Sequence, residues 1–288
     1  MSRVGGKPHG SDYWDNNGVT NPTNKDYIYH IEFNHVHHYG LGIQSDFGGI
    51  YLAASYKCDD GAPIAEIVKH CYTYKHVFNN LIHDVQTYQN GGNFIYTDKG
   101  SCKNTIENNL LIGATGIKGS YIKHACGLDN VSKNNVIHRN NTYNTANYMW
   151  GGCMKTLTDS YQQFVNHHNV YLLENIDNLS MWRPFDRYWN HSWDNHLDQA
   201  PKFWDNLYWS PNSLGKDEDI FPGKKTWDQW IDGNDTDSSW VDENPFVDAN
   251  AGDYTLKKDS PAFAMGINQI ILGNFGVQES LRYASSLN

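Results

Sequence analysis

Positive charge is nowhere concentrated in this chain: 22 Lys and Arg stand against 32 Asp and Glu, a formal balance of −10. A nucleic-acid partner is not expected, because phosphate neutralisation needs a basic patch. No apolar run approaches the ~18 residues of a membrane-spanning helix, so no span is expected. The opening MSRVGGKPHGSDYWDNNG lacks the apolar stretch of a signal peptide. No Cys-x-x-Cys pair suggests zinc, and the cysteines, at 58, 71, 102, 126 and 153, are odd in number. Calcium finds no better footing. DGNDTDSSWVDE at 232–243 has the length of a calcium loop, but Asp237 takes the place of the turn glycine, so it reads as a surface turn. No metal and no cofactor is expected. Apolar side chains are themselves sparse at 39%, while aromatics reach 14%. That mixture suits a scaffold with a narrow interior and many exposed rings, the kind of surface that stacks against sugars.

What the chain does have is repetition. An asparagine phrase recurs as EFNHVH at 32–37, FNNLIH at 78–83, ENNLLI at 107–112 and KNNVIH at 133–138, with a looser copy, NHHNVYLL, ending at 173. Its key asparagines, 34, 80, 109 and 135, step by 46, 29 and 26 residues. A short strand follows each phrase: GIYL at 49–52, FIYT at 94–97, YIK at 121–123 and YMW at 148–150. Short strands at a step of ~20–30 residues, with no helix between them, predict an all-β parallel solenoid. Asparagine suits its turns, since it tolerates the left-handed conformation and its amide can bond the amide one coil away. Val36, Ile82, Leu111 and Ile137 should then stack inside. The pattern fades near residue 175. We therefore expect a lead-in over 1–27, coils over 28–175, and over 176–288 a Trp-rich region that packs on the coils, with a helical turn in KKTWDQWIDG.

The long first step contains SYKCDDGAPIAEIVKHCYTY, read as a loop that a Cys58–Cys71 bridge could close. Cys102, Cys126 and Cys153, close to one coil apart, read as stacked interior thiols. Five sequons, at Asn130, Asn140, Asn178, Asn190 and Asn234, lean mildly toward an extracellular glycoprotein.

The phrases FNHVHHYGLGIQSDFGGIYLA, NNLIHDVQTYQNGGNFIYTDKGS and IENNLL, with the tail TWDQWIDGNDTDSSWVDENPFVDANAGDYTLKKDSPAFAMGI, resemble bacterial proteins of glycoside hydrolase family 141 and close relatives. The likeness runs over roughly residues 28 to 275 and corresponds to the C-terminal portion of the family pattern. It implies a right-handed parallel β-helix and hydrolysis of complex polysaccharides, fucose-containing pectin and xylan among them. It also implies catalytic roles for Asp46, in SDFGGIY, and Asp98, in YTDKGS. Lys99 stands where the family pattern carries glutamate, and of a later His-Gln-His element only His124 is kept.

Glycoside hydrolysis uses two carboxyl groups, ~5–5.5 Å apart for retention and ~6.5–9.5 Å for inversion. Asp46 and Asp98 fall on consecutive coils, ~4.8 Å apart along the stack. If Ile50 stacks on Ile95, however, seven residues at ~3.3 Å separate them by ~23 Å unless QSDFGG bends back. Asp84, in the IHDV phrase, is a third candidate, and Asp59 and Asp60 could reach over the groove. Each could equally be a turn aspartate capping backbone amides. His37, His83 and His138 share a register, which reads first as a ladder of turn histidines. His124 follows a short strand one coil beyond Asp98, where it could bond a sugar hydroxyl. Tyr51 and Tyr96 could pair inside the coil or beneath a sugar, with Trp150 roughly continuing their column and Lys123 beside them. A polysaccharide lyase, with Lys99 or Lys123 as base, and a non-catalytic glycan-binding coil remain open. A monomer acting on an oligo- or polysaccharide is expected.

Overall fold

The computed structural model describes residues 2–4, 27–41, 47–52, 73–87, 92–98, 101–116, 120–125, 129–139, 145–150, 164–174, 182–185, 202–211, 216–217, 221, 225–273 and 275. β1 (Ser2–Val4) stands first. A unit of three strands then repeats. The first coil is β2 (Tyr27–Glu32), β3 (His35–Tyr39) and β4 (Phe47–Leu52), and the second is β5 (Thr73–Phe78), β6 (Leu81–Thr87) and β7 (Gly92–Thr97). The third is β8 (Asn104–Glu107), β9 (Leu110–Gly116) and β10 (Ser120–Ala125). The fourth is β11 (Asn130–Lys133), β12 (Val136–Arg139) and β13 (Thr145–Trp150), and the fifth is β14 (Phe164–His167), β15 (Val170–Leu173) and β16 (Trp182–Phe185). β17 (Lys202–Trp204), β18 (Leu207–Trp209), α1 (Trp227–Ile231), β19 (Asp235–Thr236) and β20 (Ser239–Val241) follow. The chain continues through an antiparallel pair, β21 (Phe246–Asp248) and β22 (Asp253–Leu256), to α2 (Pro261–Ala264).

Corresponding strands of successive coils pair in parallel and build three open sheets: β1-β4-β7-β10-β13-β16, β2-β5-β8-β11-β14-β17-β19 and β3-β6-β9-β12-β15-β18-β20. The sequence pattern reveals two strands per coil; the structure has a third, ahead of each asparagine phrase. The expected interior is present. Val36, Ile82, Leu111 and Ile137 follow one another in register, and Ile82, Leu111 and Ile137 are buried in one core with Ile50, Ile95 and Ile122.

Asparagine forms the corner between the second and third sheets. Asn34, Asn80, Asn109 and Asn135 each donate Nδ2–H to the Oδ1 of the next, at 2.9, 2.9 and 3.0 Å, and Asn135 continues to Asn169 at 3.0 Å. Asn169 then bonds Asn206, a step the sequence reading passes over. The residues just before them, Phe33, Asn79, Asn108, Asn134, His168 and Asp205, all have φ between 52° and 55°. The tight corner demands this left-handed backbone, and asparagine and aspartate tolerate it best among residues with a side chain.

Two expectations are corrected here. Residues 232–243 are not a surface turn: β19 and β20 add a further rung, with Asp235 fully buried and bonded to Asn206, Tyr208 and Ser238. Cys102 is disulfide-bonded rather than a free stacked thiol. The other four cysteines, and with them the Cys58–Cys71 pairing, lie outside the described residues.

Over β9, β12, β15 and β18 the third sheet is buried on both faces. Its outer face presents Leu110, Val136, Val170, Leu172, Leu207 and Trp209 to Phe246, Tyr254, Leu256, Ala262 and Ile267. From α2 the chain runs back down the stack as a strap. A side chain at Gly266 would meet His168, Asn268 N–H donates to Asn134 Oδ1 at 2.6 Å, and Gly273 lies against Phe33. The strap reaches the first coil, where Phe275 packs 5.2 Å from His35. The coils, expected to end near residue 175, continue through β16–β20, and it is the described segment from β21 onward that packs along the side of the stack.

Candidate functional site

Strand alternation decides which residues share a face. Ile50, Ile95 and Ile122 are paired and buried at the core, so Tyr51, Tyr96 and Lys123, next in register, turn the other way. The Tyr51 ring meets Tyr96 edge-on at 4.6 Å, and Lys123 Nζ lies 4.0 Å above the Tyr96 ring. Such a cation–π contact is worth about 2 kcal/mol when desolvated, and Tyr96 and Lys123 are only 3% and 8% exposed. Tyr51 and Asp98 are the half-buried members.

Asp98 ends this face. Its backbone is fixed by its own N–H donating to Leu52 O at 2.9 Å and its carbonyl accepting from Ser101 N–H at 2.8 Å. Its carboxylate accepts a hydrogen bond from the Tyr51 hydroxyl. The side chain is thus oriented by a phenol on the preceding coil, not spent on capping an amide. A carboxylate held this way keeps further lone pairs for a second donor, such as a sugar hydroxyl or a leaving-group oxygen.

The other candidates fall elsewhere. Asp84 sits in β6 on the third sheet, where Oδ2 is 2.7 Å from His83 Nδ1 and 3.7 Å from His38 Nε2. It belongs to a histidine cluster and not to the Asp98 face. Trp150 pairs with Ala125, one position beyond the Thr97–His124 pair, so it shares the Asp98 column. The Tyr96 column instead continues through Lys123 to Tyr148. Asp46, Asp59, Asp60 and Lys99 lie outside the described residues.

His124 turns inward, opposite to the face expected for it. It is 2% exposed, its ring centroid is 3.6 Å from that of buried Phe164, and Nδ1 lies 2.9 Å from Thr97 Oγ1. Nε2 has no hydrogen-bond partner among the described residues. Burial lowers its pKa to about 3 from 6.5. The unfolded chain therefore takes up a proton below pH 6.5 that the native state refuses until about pH 3. Stability should be full above pH 6.5 and fall by about 1.4 kcal/mol per pH unit below it, or about 2 kcal/mol at pH 5. Urea unfolding of the wild type and His124→Leu at pH 7 and pH 5 checks this, since the variant should lose most of that fall.

The sequence reading does not flag one buried relay. His138 Nδ1 bonds the Tyr254 hydroxyl, while Nε2 lies 3.2 Å from Glu174 Oε1, an ion-pair contact without good hydrogen-bond alignment. It fastens β22 to the fourth coil. Its only signal in sequence is that His138 shares the register of His37 and His83.

No family model matches this chain, and neither a curated protein nor a solved structure matches it. No helix among the described residues is long and apolar enough to cross a membrane.

Proposed function

We propose that this chain is a right-handed parallel β-helix that acts on a complex polysaccharide, of fucose-containing pectin or xylan type, as an extracellular glycoside hydrolase. The right hand follows from the strong preference of strand-crossover-strand units in parallel sheets. The Cys102 disulfide supports an oxidising compartment. The phrases around Asp46 and Asp98 carry the likeness to glycoside hydrolase family 141.

The observation that carries the reading is the seating of Asp98, oriented by Tyr51 beside the Tyr96 ring at the end of the first sheet. In this mechanism Asp98 and a second carboxyl group flank the glycosidic bond. One protonates the leaving oxygen, while the other attacks the anomeric carbon or activates water. We assign Asp46 as the second group from the likeness of its SDFGGIY phrase to the family pattern.

Burial leaves Tyr96 and Lys123 little surface to offer a sugar, contrary to the binding role expected of them. Tyr51 and Asp98 are therefore the members of this face open to a glycan. The competing readings are a lyase and a coil that binds glycan without cleaving it. A polysaccharide panel assayed for new reducing ends and for ultraviolet-absorbing unsaturated ends distinguishes hydrolase, lyase and binder. Asp98→Asn should lower hydrolysis by at least about 10²-fold, the usual contribution of a positioned acid or base, and Tyr51→Phe by less. Full activity in Asp98→Asn would end the proposal.

A further inference from the structure

The outer face of the third sheet changes character at its N-terminal end. Down one register column it reads His35, Leu81, Leu110, Val136, Val170, Leu207. Down the next it reads His37, His83, Ile112, His138, Leu172, Trp209. The apolar face that the strap covers thus gives way to imidazoles where the described part of the strap reaches Phe275. Four histidines and one aspartate gather there. The ring centroid of His35 lies 4.4 Å from that of His37 and 4.8 Å from that of His83, and the His37 and His83 rings stack at 5.3 Å and 9°.

The nitrogens face one another. His35 Nε2 and His83 Nε2 are 2.6 Å apart, as are His37 Nδ1 and His38 Nδ1. Two neutral imidazoles satisfy such a contact only if one supplies a proton to the other's lone pair. His83 is constrained further, because its Nδ1 is 2.7 Å from the Asp84 carboxylate and must carry the proton there. Its Nε2 is then a bare lone pair aimed at His35. A carboxylate behind one nitrogen, which leaves the other as the lone pair, is the arrangement that orients a metal-binding histidine.

The backbone has been bent to assemble this group. His38 and Asp84 both have left-handed φ, 51° and 52°, at equivalent positions of β3 and β6. The equivalent position in β9 is Gly113, φ 60°, which adopts that conformation without strain. At this position of the strand, histidine and aspartate stand in the two coils where the imidazoles gather and glycine in the third. That pattern points to a use for those side chains.

We propose that His35 and His83, with His37 and His38 beside them and Asp84 behind His83, bind one divalent transition-metal ion of the zinc, nickel or copper type. Imidazole nitrogen is the donor these ions prefer. Among the described residues no three such donors already surround one point. Binding therefore requires the two facing nitrogens, 2.6 Å apart, to spread and admit the ion, with water in its remaining positions. His35, His37 and His38 are exposed and free to make that adjustment. The ion would join β3 to β6 and so clamp the first coil to the second. This inference does not depend on the polysaccharide reading.

Titration calorimetry with zinc chloride at pH 7.5 should show one equivalent binding in the micromolar range, together with a rise in the unfolding midpoint. His35→Gln and His83→Gln should each weaken binding more than tenfold. Asp84→Asn should weaken it by about 10-fold or more through the orientation of His83. His30→Gln, on the second sheet, should change nothing. Circular dichroism of these surface variants should match the wild type, which separates lost binding from lost fold. Absence of zinc, nickel or copper binding at 100 times micromolar concentration would overturn the proposal. So would binding that survives both His35→Gln and His83→Gln.

Discussion

Asn109→Ala is expected to destabilise the protein by about 3–5 kcal/mol, the largest effect of any single change outside the hydrophobic core. Asn109 is fully buried and makes five hydrogen bonds with its side chain alone. Its Nδ2 donates to Val77 O, Glu107 O and Asn135 Oδ1; its Oδ1 accepts from Asn80 N–H and Asn80 Nδ2. Alanine removes all five. The buried Asn80 N–H loses its acceptor, and the Val77 and Glu107 carbonyls lose this donor. Asn80 Nδ2 keeps Ile31 O and Phe78 O, and Asn135 Oδ1 keeps the Asn109 N–H. Each stranded group costs about 1–3 kcal/mol before relaxation. Asn34→Ala is the internal comparison. Asn34 begins the described ladder in a part-exposed position, and its loss should cost only about 1 kcal/mol. Urea unfolding of both variants tests the claim, and equal effects would mean that the ladder contributes no more in the middle than at its end.

Ile267→Ala should come next, at about 2–4 kcal/mol. Ile267 is 2% exposed and is the point where the strap enters the second core, against the outer face of the third sheet. Deleting a buried isoleucine side chain to alanine leaves both a lost transfer energy and a cavity. Ending the chain after Gly266 should do more, uncovering the Leu110–Val136–Val170 column and producing a dye-binding apolar surface. Ile271→Ala is the matched control, since Ile271 is 75% exposed on the same strap. It should shift the urea midpoint by no more than about 0.5 kcal/mol.

Sequence alone makes the corner legible because asparagine does one job there and repeats in one phrase. The interior Val36–Ile82–Leu111–Ile137 line and the Tyr51–Tyr96 pair come from the same periodicity. The first strand of each coil escapes notice because its members, such as YIYHIE, TYKHVF and NTIE, share no phrase. The last ladder step escapes because the sixth acceptor is Ser238 Oγ, which takes the Asn206 N–H at 2.7 Å in place of an amide. His124 is misplaced by a single position of register, and in a strand one position exchanges the two faces. Lys123, beside it, lies on the expected face. What spacing cannot convey is how deeply other segments bury that face, and so the pairing of Asp98 with Tyr51 is legible as proximity but not as chemistry. The histidine cluster also depends on left-handed backbone at His38 and Asp84, which leaves no periodic trace.

The asparagine ladder also has a direction. Every described amide donates toward the C-terminal end of the stack, from Asn34 through Asn80, Asn109, Asn135 and Asn169 to Asn206. Their dipoles therefore add head to tail along the axis, as peptide dipoles do in an α-helix. The row is positive at its C-terminal end, and there Asn206 Nδ2 meets the buried Asp235 carboxylate at 3.2 Å. Desolvation raises the Asp235 pKa, while Ser238, Tyr208, Asn206 and Trp230 oppose that shift by donating to it. The last rung thus ends a polarised row of amides on an acid, with the orientation that an anion takes at the positive end of a helix.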